Sequence, residues 1–324
     1  MTLDTRTLLP IADHAVTIAS EIIRTTAPGV ITAKGDRDMA TEVDYAVEHA
    51  VREFLSRETP EIGFLGEEEG VSRTGNGLMW ALDPVDGTAN FLRGIPLCGV
   101  SLGLLDKDMP RVGVIDLPFL RTRYTAAEGA GAQANGVEIQ ASDTRDLDAA
   151  IVSIGDYAVG NDAQERNRPR LALTHELAAR VQRVRMYGSA AVDLAWVAHG
   201  KTDACIMLSN NPWDTAAGVL IAREAGAAVV DIDGSPHSMS SRATIAAGPK
   251  LVADLVELIA EAQKIEAQPE HCRIVLVGTK GGAVRRRAAI LPLGGRACGL
   301  RTGPRPQAPR AAPRSHAALA SQDS

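Results

Sequence analysis

Leu78-Met79-Trp80-Ala81-Leu82-Asp83-Pro84-Val85-Asp86-Gly87-Thr88 is an apolar run that ends abruptly in two carboxylates three positions apart. Acidic side chains beside apolar ones are costly unless something cationic compensates them. Two further segments pose the same problem: Gly66-Glu67-Glu68 follows Phe64-Leu65, and Trp213-Asp214-Thr215-Ala216-Ala217-Gly218 opens a helix candidate. Hard oxygen donors with no His or Cys among them suit magnesium or manganese rather than zinc. Each acid follows a strand candidate or opens a helix, places that hold a side chain firmly while leaving it open to a ligand. Pro84 restricts the backbone between the aspartates, which could aim Asp83, Asp86 and the Val85 carbonyl at one point. Gly87 allows close approach, and the Gly87 and Thr88 amides would open a short helix through Asn90 and Phe91, an anion site.

The charges make a cation necessary if these acids meet. Glu67, Asp83, Asp86 and Asp214 sum to −4, which repels a phosphate dianion. Two divalent ions cancel that charge, and a third could offset the substrate. As a set, the residues can hold a phosphate ester and activate water against it. Taken alone, Asp83 and Asp86 read as a surface turn, Asp214 as the acid of a helix start, Asp44 as a cap, and Glu67 to Glu69 as a solvated run. Only Glu69 is left with that plain reading.

Outward from these segments the chain divides. Residues 8–26 show an amphipathic helix with Leu8, Ala12, Ala15, Ala19 and Ile22 on one face. A second helix starts at Thr41, with Asp44 completing a capping box and Val43, Val47, Ala50 and Phe54 as its apolar face. Strands are expected at 62–65, 78–82, 99–105, 112–117 and 121–126, and Asn135-Gly136 signals a hairpin turn. From about residue 150, strands (151–154, 181–186, 203–208, 229–232, 243–247) alternate with helices (164–180, 189–199, 213–225, 249–264), and Gly226 is a helix stop. The fold class is therefore α/β, with an α+β metal-binding half (1–145) and an α/β substrate half (146–265) across a cleft. Residues 266–324, rich in Pro, Arg and Ala without periodicity, read as a basic, disordered tail.

From residue 271 onward ten Lys/Arg stand against one acid, +9, so a total of −6 leaves −15 on residues 1–270. An acidic body argues against nucleic acid as its ligand, while the tail's partner is open. Four scattered cysteines show no metal or disulfide spacing. The N-terminus lacks a signal-peptide core and no segment is long enough to span a bilayer, so a cytoplasmic enzyme with no membrane partner is expected.

The set formed by Lys34 to Asp44, Gly66-Glu67-Glu68, Asp83 to Asn90 and Trp213 to Gly218, in this order and spacing over residues 8–264, resembles the inositol monophosphatase family. The resemblance implies the layered α/β/α/β/α sugar-phosphatase fold, a homodimer, lithium sensitivity, and metal ligation by Glu67, Asp83, Val85 (through its carbonyl), Asp86 and Asp214. It implies that Asp44 and Thr88 polarise the attacking water, that Glu68 orients the metals, and that Gly188, Ser189 and Ala190 approach the sugar or inositol ring, with Gly87 and Thr88 on the phosphate. Met39-Ala40 replaces the usual Leu-Val pair, a packing change. Met207 stands where inositol phosphatases often carry a Glu that binds ring hydroxyls, and a thioether is a poor substitute for that acceptor; Asn210 or Asn211 would have to supply the polar contact. The expected function is magnesium-dependent hydrolysis of inositol 1-phosphate or a similar small polyol phosphate, with two or three Mg2+ (Mn2+ possible). Histidinol phosphate, fructose 1,6-bisphosphate and phosphoadenosine nucleotides are alternative substrates. A non-catalytic regulator recruiting partners through its tail is the alternative of a different class.

Overall fold

The capping box at Thr41 forms as the sequence requires. The Thr41 hydroxyl accepts from the Val43 amide at 3.1 Å, and Asp44 Oδ2 accepts from the Thr41 amide at 2.9 Å. The structure is a computed structural model that describes residues 4–35, 38–74 and 77–266. The sequence expectation of a tail over 266–324 therefore lies outside the described residues, apart from Glu266, as do Asp36 and Arg37 of the first motif.

In chain order the elements are α1 (Leu9–Thr25), β1 (Ile31–Gly35), β2 (Asp38–Thr41), α2 (Glu42–Glu58), β3 (Gly63–Gly66), β4 (Gly70–Ser72), β5 (Leu78–Asp86) and α3 (Thr88–Leu92). Then come β6 (Gly99–Asp106), β7 (Met109–Leu117), β8 (Thr122–Ala127), β9 (Ala132–Ala134), β10 (Val137–Glu138) and β11 (Ile151–Ile154). The rest comprises α4 (Ala163–Arg180), β12 (Arg183–Arg185), α5 (Ala190–Ala198), β13 (Ala204–Met207), α6 (Pro212–Glu224), β14 (Ala228–Val230), β15 (Thr244–Ala247) and α7 (Val252–Glu266). The β1–β2 hairpin and β4 have no counterpart in the sequence reading. Both are short and partly exposed, so burial leaves no period-2 pattern to read.

Eight strands form one sheet in the order β10-β9-β8-β7-β6-β5-β3-β4, and five form another, β12-β11-β13-β15-β14. Helices α1 and α2 pack on one face of the larger sheet, burying Val16, Val47 and Leu55 against Trp80, Leu102 and Val114. Its other face carries α5 and α6, with Leu194, Ala216, Ala217 and Ile221 against Ile115 and Tyr124. The smaller sheet covers α5 and α6 from behind, and α4 and α7 close its outer face through Leu177, Leu255 and Leu258. The result is five layers, α/β/α/β/α. Close approach of α6 depends on glycine: a Cβ at Gly103 would lie 2.7 Å from the Ala216 Cβ, and one at Gly113 would lie 2.7 Å from the Ala217 carbonyl oxygen.

Two helix faces differ from expectation. On α2 the buried stripe is Val43, Val47, Val51 and Leu55, with Asp44 and Glu48 beside it, whereas Ala50 and Phe54 are half-buried. On α1, Ile23 rather than Ile22 faces the core. In both cases the neighbouring element selects between two adjacent stripes that helical spacing leaves equivalent. Asn135 and Gly136 turn between β9 and β10, both with positive φ (50° and 77°), as the dipeptide predicts. Among the described residues no helix is long and apolar enough to cross a membrane.

Candidate active site

Asp83 and Asp86 are three positions apart, an odd offset, so on a regular strand they would face opposite sides of the sheet. They do not sit on a regular strand. Asp83 pairs with Ser101 and Asp86 with Gly99, so β5 carries one more residue than β6 across this step. The extra residue is a β-bulge within Pro84-Val85, and Pro84 has no N–H to lose from the ladder. It turns both carboxylates towards a single buried region at the strand end, where they are joined by Glu67 from the β3–β4 turn and Asp214 from the first turn of α6.

The electrostatics report how close these groups come. Burial first, and then the charges of Glu67, Asp86 and Asp214, drive the Asp83 carboxyl far above the ordinary range, with Glu67 also within hydrogen-bonding reach. Burial raises Asp214 to about 7, with Asp86 and Glu67 adding repulsion. Asp214 is packed deeply but keeps a half-exposed edge on the cavity. Asp86 rises to about 6 through burial, although three hydrogen bonds oppose the shift. These come from the Ser189 hydroxyl, the Ala190 amide at 3.0 Å and the Ala191 amide at 2.9 Å. Ser189 and Ala190 therefore hold Asp86 at the start of α5, and Ser189 also caps that helix by accepting from Val192 at 3.1 Å. Gly188, Ser189 and Ala190 line a cavity of about 200 Å³ together with Asp86 and Asp214.

Asp44 and Thr88 meet as expected. The Thr88 hydroxyl lies 3.2 Å from Asp44 Oδ1 and 3.0 Å from the Val85 carbonyl, so its single proton is placed between two acceptors. Burial raises the Asp44 carboxyl, against hydrogen bonds from Thr41 and Thr88. Gly87, with φ 82°, precedes α3, and a Cβ there would stand 2.9 Å from the Leu97 carbonyl oxygen. The Asn90 and Phe91 amides donate to the Gly87 carbonyl at 2.9 and 3.0 Å, whereas the Gly87 and Thr88 amides lie ahead of the first helical bond. Asn90 ties the turn to the neighbouring segment by donating to the Leu97 and Tyr187 carbonyls at 2.8 and 2.7 Å.

Several contributors escaped the sequence reading. Lys34, on β1, places its ammonium 2.7 Å from both Glu67 Oε1 and Glu68 Oε1. Burial opposes that charge, yet the two carboxylates hold the Lys34 pKa above its usual value. Glu48, buried on α2, accepts from the Glu68 amide at 2.8 Å and the Glu69 amide at 3.0 Å, and pairs with Arg52 at 2.6 Å. It shapes the turn that presents Glu67. Gly66 makes room for it, since a Cβ there would stand 2.0 Å from Glu48 Oε1. The only sequence signal was the spacing of four between Asp44 and Glu48, which puts both on one face of α2. Glu69 is exposed, as expected. Asn210 is not a free polar contact: it donates to the Ser238 and Ser241 carbonyls and accepts from Thr215 and Thr244. Asn211 is likewise engaged, donating to Asp214 at 3.0 Å.

Among the described residues, no group of three or more His, Cys, Asp or Glu side chains is drawn together tightly enough to enclose an ion as it stands. Lys34 supplies the positive charge at Glu67 and Glu68 instead. The chemistry of the set still fits a hard divalent cation: every donor is oxygen, the carboxylates repel one another, and Glu68 Oε2 is buried without a partner. Binding would require the carboxylates to turn inward and the Lys34 ammonium to give way.

The model of the inositol monophosphatase family matches residues 4–266. The chain belongs to the inositol monophosphatase family. It is 38% identical over 262 residues to an inositol-1-monophosphatase of Synechocystis, covering 79% of this chain and 90% of that one. It is 36% identical over 233 residues to a probable inositol 1-monophosphatase, ImpA, of Mycobacterium tuberculosis, covering 72% and 86%. Among solved structures, the extragenic suppressor protein suhB of Bartonella henselae superposes with a TM-score of 0.73 at 29% identity, over 78% of this chain and 98% of that one. Family membership supports phosphatase chemistry in general, and the five-layered fold is the family's own.

Proposed function

We propose that the protein is a magnesium-dependent phosphomonoesterase acting on small alcohol phosphates, with inositol 1-phosphate within its range. The observation that carries this reading is the convergence of Glu67, Asp83, Asp86 and Asp214, drawn from three segments, into mutual repulsion beside an open cavity. Glu67, Asp83, the Val85 carbonyl, Asp86 and Asp214 would hold the cations, with Glu68 orienting them. Bound there, divalent ions supply charge neutralisation and lower the pKa of coordinated water.

The chain's own groups account for the remaining work. The Thr88 hydroxyl, anchored between Asp44 and the Val85 carbonyl, holds the nucleophilic water in line. The first-turn amides of α3 at Gly87 and Thr88 take phosphate oxygens. Asp86 is kept in place by Ser189, Ala190 and Ala191, so its free lone pairs face the cavity. Met207, fully inside the fold, offers no carboxylate to a polyol ring, which relaxes the hold on inositol itself. Assembly as a homodimer is part of this reading and is checked by mass measurement in solution.

Phosphate release from inositol 1-phosphate, histidinol phosphate, fructose 1,6-bisphosphate and phosphoadenosine phosphate, with and without magnesium, tests the assignment. Hydrolysis of at least one ester that stops in EDTA and returns with magnesium is expected. Turnover unaffected by chelation would refute it.

A further inference from the structure

Glu48 is a fully buried carboxylate that the proposed chemistry does not use. It lies one turn along α2 from Asp44, and Arg52 lies one turn further, so three ionisable groups follow one face of the helix at a spacing of four. Opposite them, β3 and β4 are joined by Glu67, Glu68 and Glu69 alone, since Gly66 pairs with Gly70. Gly70 takes φ 73°, a conformation that suits glycine, where the loop returns to the sheet. Three adjacent carboxylates repel one another, so this loop keeps one shape only if groups outside it hold its backbone.

Helix α2 supplies that hold. Glu48 Oε2 accepts from the Glu68 amide at 2.8 Å and Oε1 from the Glu69 amide at 3.0 Å. Arg52 Nη2 donates to Glu48 Oε1 at 2.6 Å and to the Gly70 carbonyl at 3.0 Å. The Arg52 Nε stands 3.4 Å from the Glu69 carboxylate, and its guanidinium lies 4.3 Å from the centre of the Phe64 ring on β3. At the other end of the loop the Glu67 amide donates to the Leu82 carbonyl at 3.2 Å, one residue before Asp83. The loop is pinned to the strand that carries Asp83 at one end and to α2 at the other.

A carboxylate suits this position better than an amide. Two successive N–H groups point at it, and Gln would meet one of them with an NH2. The negative charge placed beneath the acids is offset by Arg52. Gly66 makes the approach possible: a Cβ there would stand 2.0 Å from Glu48 Oε1 and 2.2 Å from its Cδ. Gly66 has no positive φ to account for it, so the glycine of Gly66-Glu67-Glu68 is there for the space that Glu48 occupies.

We propose that Glu48 and Arg52 are positioning residues that set the affinity of the site for divalent cations, acting through the backbone of the Glu67–Glu68 turn. The proposal rests on the metal-dependent reading and adds to it a buried pair that touches neither cation nor ester. With the pair intact, Glu67 leaves the turn beside Asp83 in one direction. Without it, the loop opens under its own repulsion, and gathering it again on binding costs affinity.

Manganese binding to the whole protein, followed by electron paramagnetic resonance of the free ion and by calorimetry, tests this without turnover. Glu48→Gln should raise the manganese Kd by roughly 10-fold or more. Loss of a negative charge would also weaken a cation, so Arg52→Met is the deciding variant. Removing a positive charge tightens cation binding if the pair acts through charge alone; if the pair holds the turn, binding should weaken by roughly 3- to 10-fold. Arg52→Lys, which keeps the charge opposite Glu48, should fall in between. Gly66→Ala should weaken binding by itself, yet add less than about 2-fold once Glu48→Ala has removed the side chain that the new methyl would strike. Melting in EDTA establishes that each variant is folded; Arg52, with 22% of its side chain exposed, is the position most tolerant of change. Binding that is unchanged or tighter in folded Arg52→Met overturns the proposal, as does a fully additive loss in the Gly66→Ala, Glu48→Ala pair. If the unaltered protein binds no manganese, the metal reading itself fails, a result that none of the variants is needed to recognise.

Discussion

The two walls of the cavity make opposite use of carboxylates. On one wall Asp86 accepts three hydrogen bonds and Glu67 pairs with Lys34. On the other, Asp156 is exposed at the rim, and burial raises the Asp193 carboxyl to about 8 against a hydrogen bond from Ser153. On the proposed reading the first wall holds the cations and the second meets the alcohol that the ester carries, so substitutions on the two walls should fail differently.

The largest effect is expected at Asp83. Asp83→Asn should reduce turnover by roughly 10³-fold or more and weaken magnesium binding, while leaving the fold intact in chelator, because burial and its acidic neighbours already hold the Asp83 carboxyl towards its neutral form. Steady-state kinetics, magnesium calorimetry and thermal melting check the three parts, and full activity in this variant would erase the distinction between the walls. A smaller loss is expected for Thr88→Ala: a fall of about 10²-fold in kcat with little change in KM, since the hydroxyl positions water and does not hold the ester. A change confined to KM would move Thr88 from the chemistry to binding.

The smallest effect concerns pH and the metal-free fold. Asp214 and Asp86 titrate near 7 and 6 in the folded protein, above an ordinary carboxylate value of 3.8. An acid with a raised folded pKa lets the native state bind more protons than the unfolded chain, so stability declines as pH rises through that interval. In chelator, the protein should lose on the order of 2 kcal/mol between about pH 4 and 7, a figure discounted because these groups face the cavity. Magnesium should flatten the slope. Thermal melts across that range, with EDTA or with magnesium, give the comparison directly; a slope that magnesium leaves unchanged would place the ions elsewhere.

Much of this molecule was legible as local pattern. The Thr41–Asp44 capping box, the Asn135-Gly136 turn and the Gly226 stop each act within a few residues, so neighbouring side chains suffice to specify them. The segments around Glu67, Asp83 and Asp214 were also visible, because acids directly beside apolar strands demand an explanation wherever the chain takes them. The choice between Ile22 and Ile23, or between Phe54 and Leu55, was not legible, since it depends on what packs against the helix.

The sequence by itself determined which acidic segments stand beside apolar strands, their order, and the alternation of strands and helices that surrounds them. Only the tertiary structure decided that a bulge between Asp83 and Asp86 brings both to one side, that Glu48 under Gly66 shapes the Glu67 turn, and that Lys34 reaches two carboxylates. It alone brought Asp156 and Asp193 to one wall. The reason is range: turn and cap preferences are set by near neighbours, while burial, repulsion and partnership arise between groups 18 to 147 positions apart that meet only when the layers close.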